Sequence, residues 1–132
     1  MYSIVQTPYG IRLTFGGFME NAEMQQWAEE SVPVLAGQKK GFGVFVDMRT
    51  LKPLPADSKA TMERTQALYK QKGMARSVVI LNSPTVTIQF KRIAHESGIY
   101  EWERYIDASS SADWEEQGVA WVRDAKDPDK KA

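Results

Sequence analysis

The chain lacks cysteine, a surplus of charge of either sign, and any apolar run long enough to cross a bilayer. Its 132 residues fit a single domain. Without cysteine there is no disulfide, thiol nucleophile, iron–sulfur cluster or cysteine zinc site. The longest apolar stretches are strand-sized, so no membrane span is expected. A cysteine-free chain whose first residues, 1–6, lack the pattern of a signal peptide fits a cytoplasmic location.

The lack of excess positive charge and of a metal-ligating pattern argues against two further classes of function. The 17 basic and 17 acidic residues cancel, and nucleic-acid binding needs a basic surplus, so no nucleic-acid partner is expected. His95 is the only histidine, and no spaced acidic loop is present, so no metal site is predicted. The glycine-containing segments Gly16-Gly17 and Gly41-Phe42-Gly43 lack the spacing of phosphate-binding loops. No cofactor is therefore predicted.

Catalysis has no recognisable site in this sequence. A serine triad would need His95 as its base, and there is no G-x-S-x-G turn. Most acidic residues read as helix caps or solvated faces, although acid–base work by Asp and Glu alone stays open. The sequence therefore predicts a protein that is not an enzyme, with no catalytic residue.

The pattern of apolar residues predicts alternating strands and helices. Residues 2–16 read as a β-hairpin, because apolar and polar residues alternate after the turn at Thr7-Pro8-Tyr9-Gly10. The runs 42–48 and 77–81 are nearly all apolar, as in strands buried on both faces. Asp47 is expected to end the first of these, and residues 104–106 form a short last strand.

Four helices fit between and after these strands. The first begins at Asn21 and meets Pro33, which should kink or end it, and Gly37 is its expected stop. Asp57 or Ser58 caps the second, Ser83-Pro84 starts the third, and a final helix carries Trp114 and Trp121. The order β-β-α-β-α-β-α-β-α predicts an α/β fold with a mixed sheet of about five strands, an N-terminal β-hairpin and four helices. Residues 1–122 form the single domain, and the charged segment 123–132 is expected to be a disordered tail.

Polar residues gather where the buried strands end and the next helices begin. Ligands and partners of open α/β sheets meet the carboxyl ends of the strands. The candidate binding surface is therefore made of six residues: Asp47, Asp57, Ser58, Lys59, Asn82 and Ser83. A helix start also tolerates a phosphate, which would suit a phosphorylated Ser58. The simpler interpretation is that Asp57 and Ser58 only cap the helix.

Four stretches of the chain resemble the STAS domain, the fold of the bacterial anti-sigma-factor antagonists and of stand-alone STAS-like domains related to CRAL-TRIO folds. They are the strand VFVDM ending near Asp47, the helix start Asp57-Ser58 leading to Leu68-Tyr69-Lys70, the segment from Asn82-Ser83-Pro84 to Ser97-Gly98-Ile99, and the last helix with Trp114-Glu115-Glu116 and Ala120-Trp121-Val122. The likeness spans residues 2–122.

This resemblance implies a phosphorylation site. In the family, a partner kinase phosphorylates a serine that follows an aspartate at the start of the second helix, and the phosphate breaks a protein complex. By position that serine is Ser58. The family has a small residue and then glycine after the serine, whereas Lys59-Ala60 follows here.

Two functions follow as hypotheses. The first is a protein-binding regulatory module, with a kinase-like or regulatory protein as partner and a switch at Ser58. The alternative is a domain of similar fold that binds a small apolar molecule or a lipid in an internal cavity and has no switch. A homodimer is also compatible with the exposed edges of a mixed sheet.

Overall fold

A computed structural model describes residues 1–130 of the chain. It contains five strands: β1 (Tyr2–Thr7), β2 (Gly10–Gly17), β3 (Gly43–Leu51), β4 (Arg76–Leu81) and β5 (Glu103–Asp107). It contains four α-helices: α1 (Asn21–Ala36), α2 (Ala56–Gln71), α3 (Pro84–Ser97) and α4 (Trp114–Asp124). A short 3-10 turn (Ile99–Glu101) precedes β5. The order along the chain is the predicted one.

The five strands form one mixed sheet in the order β1-β2-β3-β4-β5. The hairpin pair β1 and β2 is antiparallel, and the three remaining pairs are parallel. Gly10 shows why the hairpin can lie beside β3: a Cβ atom there would sit 2.1 Å from the carbonyl oxygen of Gly43, and its φ of +148° is one that side chains rarely allow. The predicted fold class is confirmed.

Alternation along the strands gives the sheet two different faces. Ile11, Leu13 and Phe15 of β2 belong to the larger core, which α1, α2 and α3 cover. Phe45 of β3 belongs to the smaller core on the opposite face, where α4 supplies Trp121. The helix α4 packs against β3, β4 and β5. The sheet is therefore a layer with α1, α2 and α3 on one face and α4 on the other.

Two element ends differ from the sequence expectation. β3 does not stop at Asp47 but continues to Leu51, because residues 50 and 51 still pair with β2 after a register shift between the two strands. α2 begins at Ala56, with Pro55 at its N-cap, so neither Asp57 nor Ser58 is the cap. α1 continues through Pro33 and ends at Ala36 with Gly37 as its C-cap, the predicted stop, since Leu35 is buried and holds the last turn against the core.

Residues 123–130, which the sequence predicts to belong to a disordered tail, lie against the domain. The helix α4 continues to Asp124. The carboxylate of Asp127 accepts two hydrogen bonds, at 2.9 and 3.1 Å, from the buried guanidinium of Arg104. Asp129 accepts from Lys91 and from the Tyr100 hydroxyl. A sequence does not show this pairing, because folding alone brings β5 to the segment. Residues 131–132 lie outside the described part, and a domain end at 122 stays a prediction.

Replacing Trp121 by alanine should lower the free energy of unfolding by about 3–5 kcal/mol. The side chain is 6% exposed, and its indole N–H donates to the carbonyl oxygen of Ser77 at 2.9 Å. Urea unfolding would measure the loss. Trp114→Ala is the matched control, because Trp114 is only half-buried and should cost less. Equal costs for the two variants would contradict this account of how α4 is anchored.

Candidate functional site

The carboxyl ends of the parallel strands form one edge of the molecule, where four loops enter the helices. Two of these loops are fastened together, since the amide of Lys52 donates to the carbonyl oxygen of Gly17 at 3.0 Å. The first joins β2 to α1 and the second joins β3 to α2. Because β2 and β3 are parallel neighbours, their loops must emerge side by side. We call this region the carboxyl edge.

Phe18 is the most exposed large apolar side chain at the carboxyl edge. It is 78% exposed, whereas its neighbour Met19 is almost completely buried in the core. Gly17 allows the abrupt turn between strand and loop, since its φ of +65° lies in the left-handed region. The chain therefore anchors the loop through Met19 and directs the phenyl ring of Phe18 into solvent.

The first turn of α2 carries three of the predicted surface residues. Asp57 and Lys59 are exposed. The Asp57 carboxylate accepts a hydrogen bond from the amide of Ser58 at 2.8 Å, which satisfies one of the free N–H groups at the helix start. Ser58 itself is 0% exposed, and its hydroxyl has no hydrogen-bond partner among the described residues. The predicted phosphorylation site is therefore closed to an enzyme in this conformation.

A hydrogen bond fixes the start of α1 against the start of α2. The hydroxyl of Thr61 donates to the side-chain oxygen of Asn21 at 2.6 Å, and it accepts from Arg64 at 3.2 Å. Further along the same helix pair, the hydroxyls of Ser31 and Tyr69 are 2.7 Å apart. These buried polar contacts hold the Phe18 loop and the Asp57–Lys59 turn on the same side of the carboxyl edge.

Asn82 and Ser83 also lie at the carboxyl edge, in the loop between β4 and α3. Asn82 is exposed. Ser83 is the N-cap of α3, as predicted, and its hydroxyl oxygen accepts from the amide of Val86 at 3.2 Å. The role of Ser83 in the structure is therefore helix capping, and Asn82 is the residue of the pair with a free side chain on the surface.

Asp47 does not join the other candidates, because it lies on the opposite face of the sheet. Its position in β3 has the parity of Phe45, which faces α4. Asp47 is buried, and its carboxylate accepts three hydrogen bonds of 3.0 Å from Arg49, two from its guanidinium and one from its amide. The guanidinium of Arg49 lies 4.2 Å from the ring centre of Trp114.

The electrostatics of Asp47 follow from this arrangement. Burial alone would raise the pKa of the carboxyl, but the hydrogen bonds and positive charge of Arg49, with a contribution from Arg12, outweigh burial and hold that pKa below its usual value. Arg12 in turn pairs with Glu115 of α4 at 2.7 Å. These charges fasten α4 to the sheet, so Asp47 has a structural role here that the sequence did not indicate.

Two open depressions lie at the opposite, amino end of the strands. One, of about 350 Å³, is bounded by the β1–β2 turn and by the α1–β3 loop with Lys39 and Lys40. The other, of about 400 Å³, is bounded by Lys70, Ala75, Glu101 and Trp102. Both are open to solvent, so neither is the enclosed apolar cavity that a lipid or small apolar ligand would need.

Within residues 1–130, no three side chains of the His, Asp and Glu types are grouped closely enough to hold a metal ion.

Over the same part of the chain, no helix combines the length and apolar character needed to cross a membrane.

Sequence reasoning missed Phe18 and Arg49 as surface residues of interest. Phe18 carries a signal that could have been used: it follows Gly16-Gly17 and precedes the first helix, so it belongs to neither the strand alternation nor a helical stripe. An aromatic residue in such a loop has no assigned core position. Arg49 gives no comparable signal, because it lies past the predicted end of its strand.

Replacing Arg49 by methionine should raise the pKa of Asp47 from its value in the unchanged protein, because burial then acts without the opposing guanidinium. In the unchanged protein the lowered pKa stabilises the fold above about pH 3.9, and this stabilisation is lost as the pH falls through the folded-state pKa. Asp47→Asn should lack that acid-side loss. Carboxyl carbon NMR and urea unfolding from pH 6 to about pH 2 would measure both. An unchanged Asp47 pKa in Arg49→Met would contradict the assignment.

Comparison with solved structures finds similar folds. A protein from Shewanella loihica PV-4, described as an uncharacterized protein from the DUF3478 family with a SpoIIAA-like fold, superposes with a TM-score of 0.66 at 12% identity, over 92% of this chain and 92% of that chain. No protein-family model matches the chain, and no curated protein matches it. The chain therefore has a SpoIIAA-like, STAS-like α/β fold, as its resemblance to STAS domains implied.

Proposed function

We propose that this chain is a non-catalytic regulatory domain that binds a protein partner through the carboxyl edge of its sheet. The observation that carries the proposal is the exposed ring of Phe18, on a loop that is hydrogen-bonded to the loop leading into the charged first turn of α2. The SpoIIAA-like fold is compatible with a regulatory role of this kind. The proposal includes a cytoplasmic location, as the composition suggests.

The chemistry of the carboxyl edge resembles that of a small protein interface. Binding energy in such interfaces is concentrated in a few aromatic or arginine side chains that enter a pocket on the partner. Phe18 is a side chain of this type on an anchored loop, so little ordering entropy is lost on binding. Lys52, Asp57 and Lys59 are exposed on the neighbouring loop and helix start, where they can supply the charged rim that sets orientation and partner choice.

Phe18→Ala should weaken partner binding at least about thirtyfold, which corresponds to the 2 kcal/mol that defines a dominant interface residue. Its free energy of unfolding should change by less than about 0.5 kcal/mol, because the ring is in solvent. Tagged protein would capture partners from the lysate of the native host, with quantitative mass spectrometry as the readout. Ile93→Ala is the matched control, since Ile93 is 57% exposed on α3, away from the Phe18 loop.

A protein that the unchanged chain and Ile93→Ala retain, and that Phe18→Ala loses, would support the carboxyl edge as the interface. Equal capture by all three chains would contradict it.

The proposal also includes a phosphorylation switch at Ser58. Its support is the position of the residue in the first turn of α2, where the helix dipole favours an added anion. Because the hydroxyl is buried, the turn must open before a kinase can reach it. A phosphate of about −1.5 to −2 charge cannot return to a buried apolar position. Phosphorylation would therefore hold the turn open and change the surface beside Phe18.

Incubation with ATP and native-host lysate should add one phosphate to the intact chain, slowly, and none to Ser58→Ala. The alanine variant should be at least as stable as the unchanged protein, because a buried hydroxyl without a partner costs about 1–3 kcal/mol. Intact mass and urea unfolding measure the two effects. Thr85→Ala, at an exposed position near the start of α3, is the control for unspecific phosphorylation. A phosphate that persists in Ser58→Ala would contradict the site.

A further inference from the structure

The strand β1 is an edge of the sheet that carries none of the usual protection. It pairs with β2 on one side only. Its six residues, YSIVQT, include no proline, glycine or charged residue, and its pairing with β2 runs through them without a bulge. Edge strands of soluble proteins normally carry such devices, because an open row of backbone groups invites another strand. An edge without them is suited to pairing.

The backbone groups that face this open edge can be assigned from the hairpin ladder. Met1 and Gly16 exchange both hydrogen bonds, at 2.8 and 2.9 Å. In an antiparallel pair such residues alternate with residues whose groups point away from the partner. Tyr2, Ile4 and Gln6 therefore direct their N–H and C=O groups away from β2, toward the open edge.

The side chains of β1 divide between the two faces of the sheet. Tyr2, Ile4 and Gln6 pair with the β2 residues of the larger core, so they lie on the α1 side. Ser3 and Val5 lie on the opposite face, where Val5 is 51% exposed. The strand thus presents a neutral surface on both faces.

We propose that a second copy of this chain adds to the sheet through β1, antiparallel, with a two-fold axis at Ile4. Ile4 then pairs with Ile4 of the second copy, and Tyr2 pairs with Gln6 of the second copy. Three pairs with two hydrogen bonds each give six bonds across the interface. The two five-stranded sheets become one sheet of ten strands.

The register follows from the geometry rather than from choice. A two-fold axis through the sheet must place residues of the same face opposite one another. Centred on Ile4, it joins the residues whose backbone groups are free. Centred on Ser3 or Val5, it would join only two such pairs within the strand, so four bonds would form instead of six. No like charges oppose each other within the strand pair, and Ser3 lies opposite Val5 of the second copy.

A second copy is favoured over another extended peptide because of this self-complementarity. A neutral strand offers no charge by which to select a different partner, and a two-fold pair closes both open edges at once. The proposal is independent of the proposed function, since it uses β1 and not the Phe18 loop.

Sedimentation velocity of the full chain should show a dimer, and Ile4→Pro should raise the dissociation constant about a hundredfold by removing both bonds at the axis. The N–H that proline lacks faces the open edge, so the β1–β2 ladder is kept. Ile4→Val retains the N–H and an apolar side chain, and it should stay dimeric. Far-UV circular dichroism checks that all three are folded. A monomer at the highest soluble concentration of the unchanged chain overturns the proposal, as does a dimer of Ile4→Pro.

A single cysteine tests the register without proline. The natural chain has none, and residues in a hydrogen-bonded antiparallel pair lie about 5.5 Å apart at Cα, within reach of a disulfide. Ile4→Cys should therefore form a covalent dimer on mild oxidation, whereas Ile93→Cys, exposed on α3, should stay monomeric. Electrophoresis without a reducing agent would distinguish the two. Failure of Ile4→Cys to cross-link, or equal cross-linking of both variants, overturns the register.

Discussion

The rest of the structure depends on β3, which is paired on both sides and covered on both faces. Its even-numbered residues, such as Val44 and Val46, enter the larger core, and Phe45 enters the smaller one. A strand in that position needs apolar side chains in both directions, which is why residues 42–46 show no alternation. Once β3 is central, the parallel ladders on either side bring four loops to one edge.

That arrangement explains how buried polar residues and an exposed aromatic can coexist at the carboxyl edge. The seam between α1 and α2 holds its hydroxyls in hydrogen bonds, and Thr61 in the second turn of α2 binds Asn21 at the start of α1. Ser58 is the exception, because its hydroxyl is buried without a partner in the described part of the chain. An unpaired buried hydroxyl costs the folded state about 1–3 kcal/mol in the first turn of α2. The same edge thus combines a loop that buries Met19 and exposes Phe18 with a turn that contains this local cost.

The order of elements and the fold class could be predicted from sequence because they rest on local patterns. Alternation at 11–15 indicated a half-buried strand, and Ser83-Pro84 indicated a helix start that the structure confirms. Predictions of exposure and of which residues meet were less successful. Asp47 was placed with the loops of the carboxyl edge, but the bulge and the additional pairing with β2 carry β3 past it and leave it bound to Arg49 under α4.

Local patterns specify the strands, the helices and their order, because hydrophobic period and turn chemistry act over a few residues. The burial of Ser58, the exposure of Phe18 and the pairing of Arg104 with Asp127 arise only when the elements pack together. These properties depend on which face of one element meets another, and that is fixed by packing between residues far apart in the chain. The open edge of β1 depends on both. The sequence shows that the strand is neutral, and the tertiary structure shows that it lies at the end of the sheet.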